Sequence, residues 1–168
     1  PAPDPSLALH PSHAIYGSDD REEVGLHPDP LLRQLAAASA VALMEPGVLD
    51  TSDPAHVVVQ APTLGSIYHL CSSERFAEQP SAAHCSGMLI GHDLVLTAGH
   101  CVRNAASCAN TRFVFNFWID ENDLQRPLSV DDIFSCASIV ARADSPDFAI
   151  LRLDRSASPR FVPTPIKQ

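Results

Sequence analysis

The sequence predicts an all-β fold in which short antiparallel strands form a barrel or a sandwich. Its apolar runs are mostly short, rich in β-branched and aromatic residues, and separated by closely spaced turn residues. Strands do not alternate with helical patterns, and there is no internal repeat, which argues against a parallel α/β sheet. A length of 168 residues with 45% hydrophobic residues fits one domain with a buried core, or one such domain with long arms.

The N-terminal region has a different character from the rest of the chain. Residues 1–13 contain four prolines and no hydrophobic period, which predicts an extended or disordered arm in which His10 and His13 are solvated. Residues 29–40 favour a short helix, because Asp29 can cap it and Pro30 suits its first position. We therefore assign residues 1–37 to an N-terminal arm with a short helix.

Strand patterns occupy most of the remaining sequence. The predicted strands cover residues 39–44, 57–60, 66–70, 85–90, 94–98, 112–118, 133–141 and 148–153. Residues 91–93, Gly-His-Asp, form a three-residue hairpin turn between two of these strands. These patterns place the β-domain at residues 38–155, and the three prolines of residues 156–168 predict a linker.

Composition argues against two classes of partner. A net charge of −9 disfavours nucleic acid, because contacts with phosphates require a basic surface. The longest stretch without charged side chains, residues 54–73, contains two prolines, two histidines and a glycine, so it predicts no membrane span.

The cysteines indicate an oxidising compartment, and thus a secreted or periplasmic protein. Five cysteines lie at positions 71, 85, 101, 108 and 136, and the lack of a C-x-x-C pair weakens a structural zinc site. The steps His84-Cys85 and His100-Cys101 could still offer metal ligands, but disulfides are favoured, and we expect no metal or organic cofactor. The odd count leaves one cysteine free or bridged to another chain.

Two segments carry candidate catalytic residues. In LVLTAGHC, an apolar strand ends just before His100, which places this histidine at the mouth of a cleft or, alternatively, on the surface beside a structural cystine. In DFAILRL, Asp147 opens an apolar strand, where a carboxylate is costly unless it accepts hydrogen bonds; a histidine N–H is a natural donor. Asp144 is the nearby rival, but it precedes Ser145-Pro146 and is typical of a turn.

The longer segment CSGMLIGHDLVLTAGHC and the segment DFAILRL resemble those that carry the catalytic histidine and aspartate of trypsin- and chymotrypsin-like serine endopeptidases, in the same order. The segments IYGSDDREEV and TRFVFNFW are most similar to the bacterial, glutamyl-endopeptidase-like branch. The resemblance extends over about residues 15–155. It implies the first, six-stranded antiparallel barrel of the chymotrypsin-like double-barrel fold, with an extended N-terminal arm.

The resemblance also implies roles for individual residues. His100 would be the general base, and Asp147 would fix its tautomer and stabilise the imidazolium. Cys85 and Cys101 match the family's cystine beside the histidine. Cys108 and Cys136 flank strands that would be neighbours in such a barrel, so we predict a second disulfide between them, which leaves Cys71 unassigned.

The nucleophilic serine is missing from these 168 residues, which contain no G-D-S-G-G or G-x-S-G-x segment. Ser86 matches a structural position of the first barrel, and the family's serine, oxyanion hole and specificity pocket lie in a second barrel. We expect a C-terminal chain of the same precursor, separated by cleavage in the proline-rich linker, to supply that barrel and to act with this chain on protein or peptide substrates. The alternatives are a truncated fragment, a non-catalytic binding module on the same barrel, and, least favoured, a hydrolase that uses Cys71 with His100.

Overall fold

The computed structural model describes residues 21–120 and 125–165, and these residues are mainly β-structure. The strands of these ranges are β1 (Ala40–Met44), β2 (Leu49–Asp50), β3 (Val58–Val59), β4 (Ala83–Leu89), β5 (Leu94–Thr97), β6 (Arg112–Val114), β7 (Ile133–Asp144) and β8 (Asp147–Leu153). The α-helices are α1 (Pro30–Ser39), α2 (Leu64–Tyr68) and α3 (Ala105–Ala109), and single 3₁₀ turns occur at Val24–Leu26, Pro46–Val48 and Val130–Asp132. Within the described ranges, none of the helices has the length and apolar character needed to cross a membrane.

A closed antiparallel barrel forms the body of the described structure. Its six strands, counted over those same ranges, follow the order β1-β4-β5-β8-β7-β6, and β6 pairs back with β1 to close the barrel. The short strands β2 and β3 form a separate two-stranded sheet. The all-β fold class and the six-stranded barrel predicted from the sequence are confirmed.

Aromatic side chains fill one end of the barrel core. The Phe115 and Phe161 rings stack with their centroids 4.1 Å apart, and Phe134 meets Phe115 edge to face at 5.4 Å. Phe161 belongs to the segment predicted as a linker, and Val162 N–H donates to the Ala38 carbonyl at 3.0 Å. The described part of residues 156–168 therefore packs on the barrel, while the boundary between domain and linker stays a prediction.

The helix predicted at residues 29–40 is present as α1. The Asp29 carboxylate accepts a hydrogen bond from Leu31 N–H at 2.8 Å, and Pro30 is the first helical residue, so both sequence signals act as expected. The rest of the predicted arm is described only from residue 21 onward. The predictions for residues 1–13, including His10 and His13, lie outside the described residues.

The strand predicted at residues 66–70 is wrong, because this segment belongs mostly to helix α2. Thr63 caps the helix by accepting a hydrogen bond from Ser66 N–H at 3.2 Å, and His69 ends it with a left-handed φ of 52°. Ile67 and Tyr68 remain 42% and 65% exposed, so their apolar character does not reflect a buried sheet face. The local cap decides the conformation here.

Two further segments differ from the predicted elements. The strand expected over residues 112–118 ends at Val114, since Asn116 adopts a left-handed φ of 59° that no regular strand continues through. Helix α3 is not among the elements that the sequence predicts. It forms because Asn104 and Ser107 build a reciprocal capping box at its start.

Gly87 in β4 lies where a side chain would meet the core. A Cβ atom at this position would stand 2.8 Å from Val95 Cγ1, 3.0 Å from the Leu96 carbonyl oxygen and 3.3 Å from Leu43 Cδ1. We therefore expect Gly87→Ala to lower the free energy of unfolding by about 1–3 kcal/mol, as overpacked cores do. Gly47→Ala is the matched control, because a Cβ there meets nothing within 4 Å. Chemical denaturation measures both, and equal stability of the two variants would contradict the prediction.

Asp132 is a buried carboxylate that ties three segments together. Its side chain is 3% exposed, and it accepts hydrogen bonds from Arg160 and Asn116, both at 2.7 Å, and from Ser129 N–H at 2.9 Å. Burial alone would raise the pKa of Asp132, but the hydrogen bonds from Arg160, Ser129 and Asn116 together outweigh it and hold the pKa below its usual value. The carboxylate therefore stays ionised at neutral pH.

This lowered pKa predicts how stability depends on pH. Since the folded pKa lies below the unfolded value of about 3.9, the carboxylate stabilises the fold above that pH and loses this effect as pH falls through the folded pKa. We expect Asp132→Asn to be less stable than the parent at pH 7, and the difference to shrink below about pH 4. The exposed neighbour Asp131→Asn is the control. A pH-independent difference in urea unfolding would contradict the prediction.

Candidate active site

His100 lies in the turn that follows β5, at one end of the barrel. The strand behind it is anchored, because Val95 is fully buried and the Thr97 hydroxyl donates to the Ser86 carbonyl at 2.7 Å. The His100 side chain itself is 62% exposed. A rigid strand therefore presents an accessible imidazole to solvent or to a docked partner.

Asp147, the first residue of β8, holds His100 at two points. Its Oδ2 lies 2.6 Å from the ring Nδ1, and its Oδ1 accepts the His100 backbone N–H at 2.9 Å. An ionised carboxylate can only accept hydrogen bonds, so we assign the ring hydrogen to Nδ1. This tautomer leaves the lone pair of Nε2 free to take a proton.

The carboxylate of Asp147 is stabilised in its ionised form. The hydrogen bond from the His100 ring lowers the pKa of Asp147 most strongly, and the backbone N–H groups of His100 and Gly99 lower it further, so that together they outweigh the opposing effect of burial. Asp147 is therefore an anion at neutral pH, as an acceptor for the Nδ1–H group requires.

The rival aspartate takes no part in this pair. Asp144 ends β7, and its carboxylate pairs with Arg142 at 2.5 Å. Arg142 also donates from Nε to the Gly99 carbonyl oxygen at 2.9 Å, a contact with the histidine turn that the sequence did not predict. The two residues are 43 positions apart, and only the packing of the turn against the β7–β8 hairpin brings them together.

A cystine braces the histidine turn against the neighbouring strand. Cys101 bonds Cys85 of β4, with 6.1 Å between their Cα atoms. The ligand atoms of Cys85, His100 and Cys101 lie within 4.8 Å of one another, yet the two sulfurs are joined in the disulfide and do not offer thiolates to a metal. The hypothesis that the His-Cys steps bind a metal would require free thiols at Cys85 and Cys101, and the disulfide removes both of them.

The second predicted cystine is also present. Cys108 of α3 bonds Cys136 of β7, with a Cα separation of 5.3 Å. Cys71 is exposed and free, and in the part of the chain that the structure describes no hydrogen bond joins it to His100. The arrangement thus brings together His100 and Asp147, with one cystine beside them, and leaves Cys71 apart.

A comparison with protein-family models agrees with this arrangement at the level of the family. A family model described as Trypsin matches residues 70–168, a range that includes both His100 and Asp147. No curated protein matches the chain. Among solved structures, the VesB protease of Vibrio cholerae is similar, with 18% identity and a TM-score of 0.38 over 72% of this chain. The chain spans 28% of the length of that protein.

Proposed function

Because the chain belongs to the trypsin family, we propose that it supplies the general base and the orienting aspartate of a serine endopeptidase. One observation carries the proposal: the His100 ring and backbone both donate to Asp147, at 2.6 and 2.9 Å, while the imidazole remains exposed. A carboxylate that fixes Nδ1–H leaves Nε2 as a proton acceptor, which is what activation of a serine hydroxyl requires.

In the proposed reaction, Nε2 of His100 removes the hydroxyl proton as the serine oxygen attacks the carbonyl carbon of the scissile peptide bond. The resulting imidazolium is stabilised by the Asp147 carboxylate, which keeps its own charge. His100 then gives the proton to the leaving amine, and the peptide C–N bond breaks to leave an acyl-enzyme. A water molecule, deprotonated by the same nitrogen, hydrolyses the ester and regenerates the serine.

We infer that the serine, the oxyanion hole and the specificity pocket belong to a second barrel. An outward-facing apolar surface on this barrel supports the inference: Met88 of β4 pairs with Leu96 of β5, and Leu96 pairs with Ile150 of β8. Met88 and Leu96 are 43% and 37% exposed, and nearby Val140 of β7 is 49% exposed. Contiguous exposed apolar residues of this kind are typical of a covered surface.

The second barrel is proposed to reside on a C-terminal chain of the same precursor, as expected from the sequence. Intact mass measurement of the native protein, with and without reduction, distinguishes this arrangement from a continuous polypeptide that carries both barrels. We further propose an extracytoplasmic location, secreted or periplasmic, because two disulfides are retained in the fold. Non-reducing peptide mapping of protein isolated from its native compartment checks this point.

Labelling of the native protein with a fluorophosphonate tests the proposed function. We expect covalent modification of one serine, located outside residues 1–168, and competition by peptide substrates. A folded native protein that is not labelled, and that binds peptides without cleaving them, would instead identify a non-catalytic binding module. Labelling at Cys71 or at any serine within residues 1–168 would also contradict the proposal.

A further inference from the structure

We propose that Arg142 is a positioning residue for the catalytic histidine, acting through the peptide group that joins Gly99 to His100; this inference rests on the proposed function. Arg142 lies in β7, and within the described residues it forms no hydrogen bond with the His100 ring and no hydrogen bond or ion pair with the Asp147 carboxylate. Its effect on the ring is therefore indirect.

The Gly99–His100 peptide group is held at both of its polar ends. Arg142 Nε donates to the Gly99 carbonyl oxygen at 2.9 Å, and the His100 N–H donates to Asp147 Oδ1 at 2.9 Å. A cationic donor on the carbonyl polarises the peptide and strengthens the N–H as a donor, since linked hydrogen bonds reinforce one another. The same carboxylate receives the ring Nδ1–H, so the orientation of the peptide plane and of the ring are coupled through Asp147.

Arg142 is itself held in place. Its side chain is 22% exposed, and its Nη2 pairs with the Asp144 carboxylate at the end of the same strand. Nε and Nη2 are parts of one planar fork, so the contact with Asp144 sets the direction in which Nε points. Strand β7, which precedes the turn before Asp147, is thereby linked directly to the turn that carries His100.

The surroundings of Gly99 allow the peptide to lie close to the hairpin. A Cβ atom on Gly99 would stand 2.5 Å from the Ala143 carbonyl oxygen and 2.9 Å from the Phe148 carbonyl oxygen. These two carbonyls flank the peptide without donating to it, because a carbonyl only accepts. Arg142 is thus the side chain that supplies a donor to this carbonyl, and its removal leaves the peptide held only at its N–H end.

Hydrogen exchange in the native protein tests the proposal without reference to activity. In Arg142→Gln we expect the His100 amide to exchange about tenfold faster or more, while amides of β5 and β8 keep their rates. Arg152→Gln is the matched control, because Arg152 is also a strand arginine paired with an aspartate, Asp93, but at the opposite end of β8. Asp144→Asn, which retains Arg142 and removes its anchor, is expected to give a smaller increase at the same amide.

Steady-state kinetics add a second readout, specific to catalysis. For Arg142→Gln we expect kcat to fall about tenfold with KM unchanged, since the binding surface is untouched and only the geometry of the base is altered. An unchanged His100 amide in Arg142→Gln, or in Asp144→Asn if the first variant does not fold, would overturn the proposal. A local rise in exchange in a protein that shows no fluorophosphonate labelling would support the role of Arg142 in holding the Gly99–His100 peptide and would refute the proposed protease function instead.

Discussion

His100→Ala is expected to lower kcat of the native protein by about 10⁶-fold, the order found when the histidine of such a catalytic unit is removed. The alanine variant has no acceptor for the serine proton and no donor for the leaving amine, so both halves of the acyl-enzyme cycle lose their proton transfer. KM is expected to change little, because the specificity pocket is proposed to lie in the second barrel and not beside His100. The residual rate would come from binding and from oxyanion stabilisation alone.

The measurement combines peptide hydrolysis with fluorophosphonate labelling of the serine, and both should fail together. His92→Ala is the matched control: this exposed histidine lies in the β4–β5 turn, and its backbone carbonyl, which the substitution retains, accepts Ala157 N–H at 2.7 Å. A His100→Ala variant that keeps kcat within tenfold of the parent would refute the role of His100. Loss of activity in the His92 control would point to unfolding as the cause.

Both members of the candidate pair are accessible to sequence reasoning, because the local pattern around each is unusual. His100 follows an apolar strand and precedes a cysteine, and Asp147 opens an apolar strand where a charge is otherwise costly. The local pattern at Asp147 indicates a histidine N–H as its donor, and the family resemblance implies that this histidine is His100, 47 positions away. The antiparallel pairing of β5 with β8 is the physical basis of the contact between His100 and Asp147, since the end of β5 lies beside the start of β8.

Features that depend on tertiary geometry cannot be predicted from the sequence alone. The contact from Arg142 to Gly99 requires the register of the β7–β8 hairpin and the exact path of the histidine turn, and neither is encoded in a local pattern. The sequence predicts a strand at residues 66–70, where most residues belong to helix α2, because a short apolar run fits both conformations until its cap is recognised. The three prolines of residues 156–168 predict a linker, whereas the Phe161 ring within this segment stacks in the core.

The second large effect is expected from Asp147→Asn, and the structure gives the reason in terms of hydrogen-bond direction. In the parent, two donors face the carboxylate: the His100 N–H at Oδ1 and the ring Nδ1–H at Oδ2. An asparagine amide has one acceptor and one donor group. The backbone N–H cannot change its role, so the amide oxygen is expected to face it and the NH₂ group to face Nδ1.

An NH₂ group facing Nδ1 converts this ring nitrogen into an acceptor. The ring hydrogen then moves to Nε2, the nitrogen that should accept the serine proton, and kcat is expected to fall by about 10⁴-fold although the fold is intact. Asp154→Asn is the matched control, since Asp154 lies just beyond β8 at its other end and pairs with Arg155. Nitrogen NMR of labelled His100 reads the tautomer directly. A ring that keeps its hydrogen on Nδ1 in Asp147→Asn, with kcat near that of the parent, would show that the carboxylate does not set the tautomer and would remove the basis of the proposed mechanism.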